Sequence, residues 1–343
     1  MNRKYFISSI VTAGAALSTL KGQAIPSTNE NIGRNKTPPF LNPGDTIGIT
    51  SPAGYISLAE IQPSVQLMES WGFKIQVGST IGKKDFTYGG TDEERAADLQ
   101  QMLDNPDIKA IMCARGGYGL VRIIDQLDFK QFVAQPKWVI GFSDVTVLHC
   151  HINRNFGIAT LHSKMCNSFP DDWTKAEPIQ ITTILSIKQA LLGEAMKYTA
   201  PVTASNRPGR AEGQLVGGNL SIIENLAGTK SDLKTKGKIL FVEDTGEYLY
   251  SIDRMFWNLK RTDKLSQLAG LIIGGFKLKP DDAGEEFGKT VYEIVMEKVK
   301  EYDYPVCFDF PVGHQKDNFA LRCGVQHVLE VGADGSTLSF IES

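Results

Sequence analysis

The sequence predicts a two-domain α/β protein, in which an N-terminal α/β domain built on a parallel sheet precedes a C-terminal domain of mixed α/β structure. The chain has 343 residues, which at ~100–200 residues per domain corresponds to about two domains. Strand-like and helix-like segments alternate through its first half, as in parallel sheets with helical crossovers. Residues 167–208 are irregular and rich in turn residues, so we interpret them as the connection between domains at 39–166 and 209–343.

The N-terminal domain is defined by short apolar runs and by longer segments with helical spacing. The apolar runs predict strands at residues 45–51, 74–78, 108–114, 138–142 and 158–161. The helical spacing predicts helices at residues 58–71, 93–103 and 118–127, and a fourth helix from Val145. Because ligand sites in parallel sheets lie beyond the carboxyl ends of the strands, we expect the functional residues in the loops at that edge.

The C-terminal domain shows a similar but less regular pattern. Apolar or alternating runs predict strands at residues 238–242, 268–274, 306–310 and 325–331. Helical spacing predicts a helix at 179–192 within the connection, and helices at 251–260 and 285–302 within the domain. A turn at residues 333–336 indicates a final hairpin.

The first residues have the pattern of an export signal. Residues 2–4 are polar and basic, and residues 5–20 form an uncharged apolar run. Gly22 and Ala24 place small side chains at the two positions that a signal peptidase reads. We predict a cleaved signal peptide at 1–24, a flexible leader at 25–38 and a periplasmic mature protein. The alternatives are a retained N-terminal anchor and an unprocessed chain that stays in the cytoplasm. The apolar run is shorter than the ~20 residues of a membrane helix, so the mature form is expected to lack a membrane span.

Composition excludes several kinds of partner. The formal net charge is −3 at pH 7, and there is no basic block of the kind that nucleic-acid binding requires. The five cysteines form no CxxC pair, and we interpret them as small buried hydrophobic residues. His149, Cys150 and His151 are adjacent, but residues i and i+2 of a helix do not share a face. We therefore expect no nucleic-acid partner, no metal and no cofactor.

A glycine-rich loop follows the predicted strand at 108–114. Residues 115–119 read RGGYG, which lacks the full G-x-G-x-x-G spacing and the later acidic residue of a dinucleotide-binding loop. Such glycines also let backbone N–H groups approach a ligand oxygen closely, as an oxyanion hole requires. A tight turn with positive φ would need the same glycines.

A lone serine, Ser143, lies where the strand at 138–142 runs into the next helix. A side chain in a sharp strand-to-helix turn projects away from the sheet, near the amide N–H groups of the helix N-terminus, which is the geometry of a nucleophile elbow. A serine in this position can instead be an N-cap, and the pattern here is G-x-S-D rather than G-x-S-x-G. A serine nucleophile also needs a base and an orienting carboxylate.

One of the five histidines stands out as a candidate base. His314 lies in a loop, FPVGHQKDN, directly after the predicted strand at 306–310, and loops position catalytic groups more often than regular structure does. The other four lie in or directly after predicted helices and strands: His149, His151, His162 and His327.

The candidate carboxylate follows the apolar strand at 238–242. This strand ends in Glu243 and Asp244, and an acid at the end of an apolar strand is costly to bury without a partner. We prefer Glu243 as the orienting acid, with Asp244 and Glu247 as alternatives.

Six stretches together resemble a known family. They are GDTIGITSPAG (44–54), ARGGYGLVRIID (114–125), WVIGFSDVTVLH (138–149), GQLVGGNLSIIENLAGT (213–229), LFVEDTGEYLYSIDRMFWNL (240–259) and DFPVGHQKDNFALRCG (309–324). In these stretches the chain closely resembles the LD-carboxypeptidase family of serine peptidases, which includes muramoyltetrapeptide carboxypeptidases and microcin C immunity peptidases. The resemblance runs in unbroken order over roughly residues 40–342.

The resemblance implies a catalytic site and an assembly. It implies a Ser-Glu-His triad of Ser143, Glu243 and His314, with an oxyanion hole formed by backbone amides near Gly117 and Asp144. It also implies a homodimer of two-domain subunits, in which the N-terminal domain supplies the serine and the C-terminal domain supplies the acid and the base.

The resemblance further implies a reaction, the release of the terminal D-alanine from a peptidoglycan tetrapeptide stem by hydrolysis of an L,D peptide bond. Two alternatives are a related peptidase that acts on peptidyl-nucleotide antibiotics and a non-catalytic binder of wall peptides on the same fold. Family members that recycle peptidoglycan are usually cytoplasmic, whereas the N-terminal pattern of this chain predicts export and so an enzyme beside the cell wall.

Overall fold

The structure, a computed structural model, describes residues 36–341. The predicted signal peptide at 1–24 and residues 25–35 of the predicted leader lie outside the described residues. The strands are β1 (Thr46–Thr50), β2 (Lys74–Val77), β3 (Ile108–Cys113), β4 (Trp138–Gly141), β5 (Thr160–His162), β6 (Lys197–Ala200), β7 (Gly209–Asn219), β8 (Ile239–Thr245), β9 (Gly270–Lys277), β10 (Val306–Cys307), β11 (Leu321–Cys323), β12 (Gln326–Gly332) and β13 (Gly335–Phe340). The α-helices are α1 (Leu58–Ser70), α2 (Asp92–Asp104), α3 (Leu120–Ile123), α4 (Lys130–Ala134), α5 (Thr146–Phe156), α6 (Pro178–Leu192), α7 (Leu220–Asn225), α8 (Leu249–Arg261) and α9 (Val291–Val299).

The first sheet contains six strands in the order β2-β1-β3-β4-β5-β11. Strands β1 to β5 pair in parallel, and each is separated from the next by at least one helix. The chain moves outward from β1 to β2 and then returns to β3 on the other side of β1. The loops after β1 and β3 therefore lie at the point where strand order reverses, which is where open α/β sheets bind ligands.

The second sheet contains seven strands in the order β10-β9-β8-β7-β12-β13-β6. Strands β7 to β10 are parallel, whereas β12, β13 and β6 are antiparallel to their neighbours. A parallel-sheet α/β part is thus followed by a mixed α/β part, and the predicted fold class is confirmed.

Both faces of the first sheet are buried. Ile111 and Cys113 of β3 enter one hydrophobic cluster, while Ala110 and Met112 enter another, because successive side chains of a strand point to opposite faces. The first cluster also contains residues of α5, α7 and α8, so one core joins the first sheet to helices of the C-terminal half. The second contains residues of α1 and α6, so α6, from the predicted connection, packs on the first sheet.

Several elements differ from the sequence-based prediction, which also lacked the short elements α4, α7, β6 and β11. The helix predicted at 118–127 is only α3 followed by a 3₁₀ turn at Ile124–Gln126, because Gly119 has φ +145° and stops the helix at its N-terminus. The helix predicted at 285–302 is shorter in the structure, where it is α9 (Val291–Val299). It begins after Thr290, which forms a capping box with Glu293. The strand predicted at 306–310 is reduced to the two residues of β10. The glycine-rich strand β7 was not predicted, because glycine weakens the strand pattern.

The described residues contain no helix that is both long enough and apolar enough to cross a membrane.

Candidate active site

Ser143 lies in a strained turn between β4 and α5. Its φ is +61°, a left-handed conformation that costs a non-glycine residue about 1–3 kcal/mol and that recurs at active sites. A 3₁₀ turn at Ser143–Val145 leads directly into α5. The N-cap positions of this turn and of α5 are occupied by Phe142 and Val145, so the alternative prediction that Ser143 is an N-cap is wrong. The turn has the form of a nucleophile elbow.

The loop after β3 packs directly against this turn. A Cβ atom added to Gly116 would lie 3.0 Å from Ser143 Cβ and 3.2 Å from Ser143 Oγ, so a larger residue here would press on the serine side chain. The next residue, Gly117, has φ +106°. The loop therefore has the positive φ of a tight turn, and it also lies directly against the serine.

The backbone amides of Gly117 and Asp144 make no hydrogen bond to any acceptor within residues 36–341. The Asp144 N–H lies in the first turn of a helical segment, where amides have no intrahelical acceptor. The Asp144 carboxylate accepts a hydrogen bond from the Leu120 N–H at 2.8 Å, which ties the start of α3 to the elbow. The geometry leaves both amides available to an oxyanion.

His314 is held by a buried carboxylate. Its Nδ1 lies 2.6 Å from Glu243 Oε2, and Glu243 is fully buried at the end of β8. A Cβ atom on Gly313 would lie 2.4 Å from Glu243 Cβ, so the glycine before the histidine permits this close approach. With Nδ1 directed at Glu243, Nε2 is the ring nitrogen that can exchange a proton with another group.

The other two candidate acids are placed differently. The Asp244 carboxylate accepts hydrogen bonds from Asn219 Nδ2 and from the backbone N–H groups of Ser221 and Thr245. Burial raises the pKa of Asp244 to about 6. Among the described residues, the Glu247 side chain makes no hydrogen bond. Of the three acids, Glu243 is the one that contacts His314.

The His314 loop connects the two sheets. It leaves the second sheet after β10 and enters the first sheet at β11, which pairs with β5. This path brings the His314 ring to 4.9 Å from the ring of Phe142, centroid to centroid, so the histidine lies beside the residue that precedes Ser143. The described structure contains no Ser143–His314 hydrogen bond, and such bonds are often long until substrate binds.

The remaining histidines are buried in regular structure. His149 Nε2 lies 2.9 Å from the Gly141 carbonyl oxygen and His151 Nδ1 lies 2.9 Å from Ser231 Oγ. Burial lowers the pKa of His149 and of His327 to about 4. His162 is fully buried. Among the five histidines, His314 is the one in a loop with a carboxylate partner.

Two family models match this chain, that of the LD-carboxypeptidase N-terminal domain at residues 47–163 and that of the LD-carboxypeptidase C-terminal domain at residues 212–329. The chain belongs to the LD-carboxypeptidase family. It is 32% identical over 297 residues to the probable murein peptide carboxypeptidase of Bacillus subtilis (strain 168), a match that covers 86% of this chain and 92% of that protein.

Two further similar proteins are a microcin immunity protein and a muramoyltetrapeptide carboxypeptidase. The microcin C7 self-immunity protein of Escherichia coli is 28% identical over 327 residues, which cover 87% of this chain and 94% of that protein. The crystal structure of muramoyltetrapeptide carboxypeptidase from Oxalobacter formigenes is 25% identical with a TM-score of 0.76, and covers 87% of this chain and 99% of that one. This LD-carboxypeptidase family member is accordingly a hydrolase.

Sequence reasoning missed two residues that hold the site of this family member together. Asn318 accepts a hydrogen bond from the Gly313 N–H at 2.9 Å and so fixes the His314 loop. Thr146, at the start of α5, accepts one from the Asn219 N–H at 3.0 Å, which ties the serine helix to the end of β7. The paired glycines 217–218 were a signal for this close contact, since a Cβ atom on Gly218 would lie 2.5 Å from Thr146 Oγ1.

Proposed function

We propose that this LD-carboxypeptidase family member is a serine carboxypeptidase that hydrolyses the L,D peptide bond of peptidoglycan tetrapeptide stems and releases the terminal D-alanine. The observation that carries the proposal is the hydrogen bond between His314 Nδ1 and the buried Glu243 carboxylate, beside the strained turn that presents Ser143. The names of the murein peptide and muramoyltetrapeptide relatives support the substrate class.

The first half of the reaction forms an acyl-enzyme. His314 Nε2 takes the proton from Ser143 Oγ as the oxygen attacks the carbonyl carbon of the L,D bond. The carbonyl oxygen becomes an oxyanion, which the N–H groups of Gly117 and Asp144 stabilise. His314 then gives its proton to the D-alanine nitrogen as the C–N bond breaks.

The second half returns the free enzyme. Water gives a proton to His314 Nε2 and attacks the ester carbonyl, and Ser143 recovers its proton as the shortened peptide leaves. Glu243 keeps the imidazole in the tautomer with Nδ1–H and stabilises the imidazolium that forms in each half.

The substrate proposal is tested with purified protein and mass spectrometry. The candidate substrates are a peptidoglycan tetrapeptide ending in D-alanine, its L-alanine epimer, the pentapeptide and an aminoacyl-sulfamoyl adenylate. We expect cleavage of the D-alanine tetrapeptide, no cleavage of the epimer and slow cleavage of the pentapeptide, because an oxyanion hole of backbone amides accepts the carbonyl from one face. Equal turnover of both epimers, or turnover of the adenylate alone, contradicts the proposal, and absence of all turnover favours a binding protein.

We further propose that the chain is exported, cleaved before Ile25 and assembled as a homodimer. The basic start and the apolar run at 5–20 support export, and the family resemblance supports the dimer. N-terminal sequencing of protein from its native host and sedimentation of the mature form test the two parts separately. Recovery of intact Met1 from the cytosol contradicts export, and a monomer at micromolar concentration contradicts the dimer.

A further inference from the structure

A small cavity beside His314 is lined by two lysines. Its volume is about 200 Å³, and Lys164 and Lys277 face it together with His314. The other side chains in its wall are uncharged: Phe142, Ser168, Thr245, Gln315 and Asn318. Within the described residues, neither lysine has a carboxylate oxygen within the 4.0 Å of an ion pair. Two cations that face one cavity without a counter-charge in its wall create a positive potential there.

Strand register places Lys164 next to the elbow. Gly141 of β4 pairs with His162 of β5 in parallel, and Ser143 and Lys164 each lie two residues further along. Both therefore leave the first sheet at the same edge. The Ser163 N–H donates to the Gly141 carbonyl at 3.1 Å and Ser163 Oγ donates to the Lys164 carbonyl at 3.0 Å, so the backbone that carries Lys164 is fixed against the elbow.

The second lysine comes from the sheet that carries the acid. Lys277 of β9 pairs with Thr245 of β8, two residues after Glu243. The Gly246 N–H donates to the Lys277 carbonyl at 2.8 Å. The first sheet thus supplies Lys164 to the cavity and the second sheet supplies Lys277, with His314 between them in the same lining.

The Lys164 side chain is partly buried, and within the described residues it has no ion-pair partner. Burial lowers the pKa of its ammonium group, and the carboxylate of Asp317 opposes this effect without forming an ion pair. A half-buried ammonium group without a paired anion is less stable than one in water. An anion that enters the cavity would therefore be stabilised there.

We propose that Lys164 and Lys277 bind the terminal carboxylate of the substrate, next to the carbonyl that Ser143 attacks. This inference rests on the proposed carboxypeptidase function, in which the terminal carboxylate lies one residue beyond the bond that breaks. The cavity is smaller than the ~300–1,000 Å³ of sites for drug-sized ligands, so it fits a single small residue such as alanine. The lysines would restrict hydrolysis to the chain end.

Binding to an inactive form tests the assignment without turnover. In the Ser143→Ala protein, calorimetry compares the D-alanine tetrapeptide with the same peptide ending in a carboxamide. We expect the acid to bind about 10-fold or more tightly than the amide. Lys164→Met should weaken acid binding about 10-fold and leave amide binding unchanged, whereas Lys164→Arg should retain most of the preference. Lys277 is exposed, so Lys277→Met should weaken acid binding only about 3-fold.

A matched control and turnover assays separate the possible failures. Lys316 is close in sequence to His314 but pairs with Glu177 and does not line the cavity, so Lys316→Met should bind both peptides as the parent does. Equal binding of acid and amide by the parent, no binding of either, or equal weakening of both by Lys164→Met overturns the inference. If proteins with Ser143 intact cleave the tetrapeptide while the lysine variants keep the acid preference, the inference fails and the proposed function stands. If the parent binds acid over amide but the intact enzyme cleaves neither, the proposed function fails instead.

Discussion

At the scale of single residues, the site combines a strained serine with two differently buried acids. Ser143 keeps φ at +61°, although a non-glycine residue is disfavoured there. Glu243 is fully buried with a histidine partner, while Asp144 is buried with only a backbone N–H on one oxygen. A positive φ and buried carboxylates each cost free energy in general, and such costs are common where side chains must be held ready for chemistry.

Replacing the serine should separate activity from stability. We expect Ser143→Ala to lower kcat by about 10⁴- to 10⁶-fold, because the remaining residues of a triad contribute little alone. Ser143→Gly should be equally inactive but should raise the free energy of unfolding by up to about 1 kcal/mol, since glycine relieves the positive φ. Peptide turnover and urea denaturation measure the two effects.

Asp263 provides the control for this prediction. It also has a positive φ, +58°, and is exposed, so Asp263→Gly should leave turnover unchanged. A Ser143→Gly protein that cleaves peptide at a rate near that of the parent would show that Ser143 is not the nucleophile.

The buried Asp144 should make stability depend on pH. Burial raises its pKa to about 6, whereas an unfolded aspartate titrates near ~4. Between these values the folded state holds a proton that the unfolded state has lost, so this group lowers stability as pH rises from about 4 to 6. Asp144→Asn removes the effect, and its stability relative to the parent should rise by about 2–3 kcal/mol between pH 4 and pH 7.

Urea denaturation across that pH range measures this change. Asp107 is an exposed aspartate, and Asp107→Asn is the control that should not change the pH dependence. A constant stability difference between Asp144→Asn and the parent at all pH values would mean that Asp144 is ionised throughout.

At the scale of elements, the close contact between the loop after β3 and the serine turn positions the reacting groups. Gly116→Ala would place a methyl group 3.0 Å from Ser143 Cβ, so the serine must shift. The shift needed is only a few tenths of an ångström, and since a misplacement of about 1 Å can lower the rate about 100-fold, we expect a smaller loss of about 10-fold in kcat with little change in KM. Gly332→Ala is the control, because a Cβ there meets nothing closer than 3.5 Å. Full activity of Gly116→Ala would mean that the loop moves away from Ser143 at no cost.

At the scale of the whole molecule, β11 brings the chain back to the first sheet and holds the far end of the His314 loop there. Arg322 of β11 is buried and donates to the carbonyls of Ala190 and Glu194 at the end of α6. Its guanidinium group lies 5.0 Å and 4.9 Å from the ring centroids of Phe40 and Phe340. One side chain therefore joins the start, the middle and the end of the described chain.

Removal of this guanidinium group should affect stability and catalysis together. Arg322→Met leaves buried carbonyls without donors, so the free energy of unfolding should fall by about 3 kcal/mol. Because β11 anchors the loop that carries His314, kcat should fall as well. Arg322→Lys should recover only part of either loss, since a lysine lacks the planar set of donors. A loss of stability without any loss of kcat would separate the anchor from the catalytic loop.

Local patterns in the sequence were sufficient to predict the fold class, most strands and the loop positions of Ser143 and His314. These features depend on hydrophobic periodicity and on turn residues within a few positions of each other. The failures at 118–127 and in β7 arose where glycines changed the local pattern, either by stopping a helix or by weakening the strand signal.

Local sequence favoured Glu243 over Asp244 as the partner of His314, and the family resemblance implied it, but the sequence pattern alone did not exclude Asp244. The two acids are adjacent in one strand, so their side chains point to opposite faces of the sheet. Which face holds His314 depends on a loop 71 residues away in the chain that passes from the second sheet to the first. Contacts of this kind arise from packing between distant segments, and no short stretch of sequence contains them.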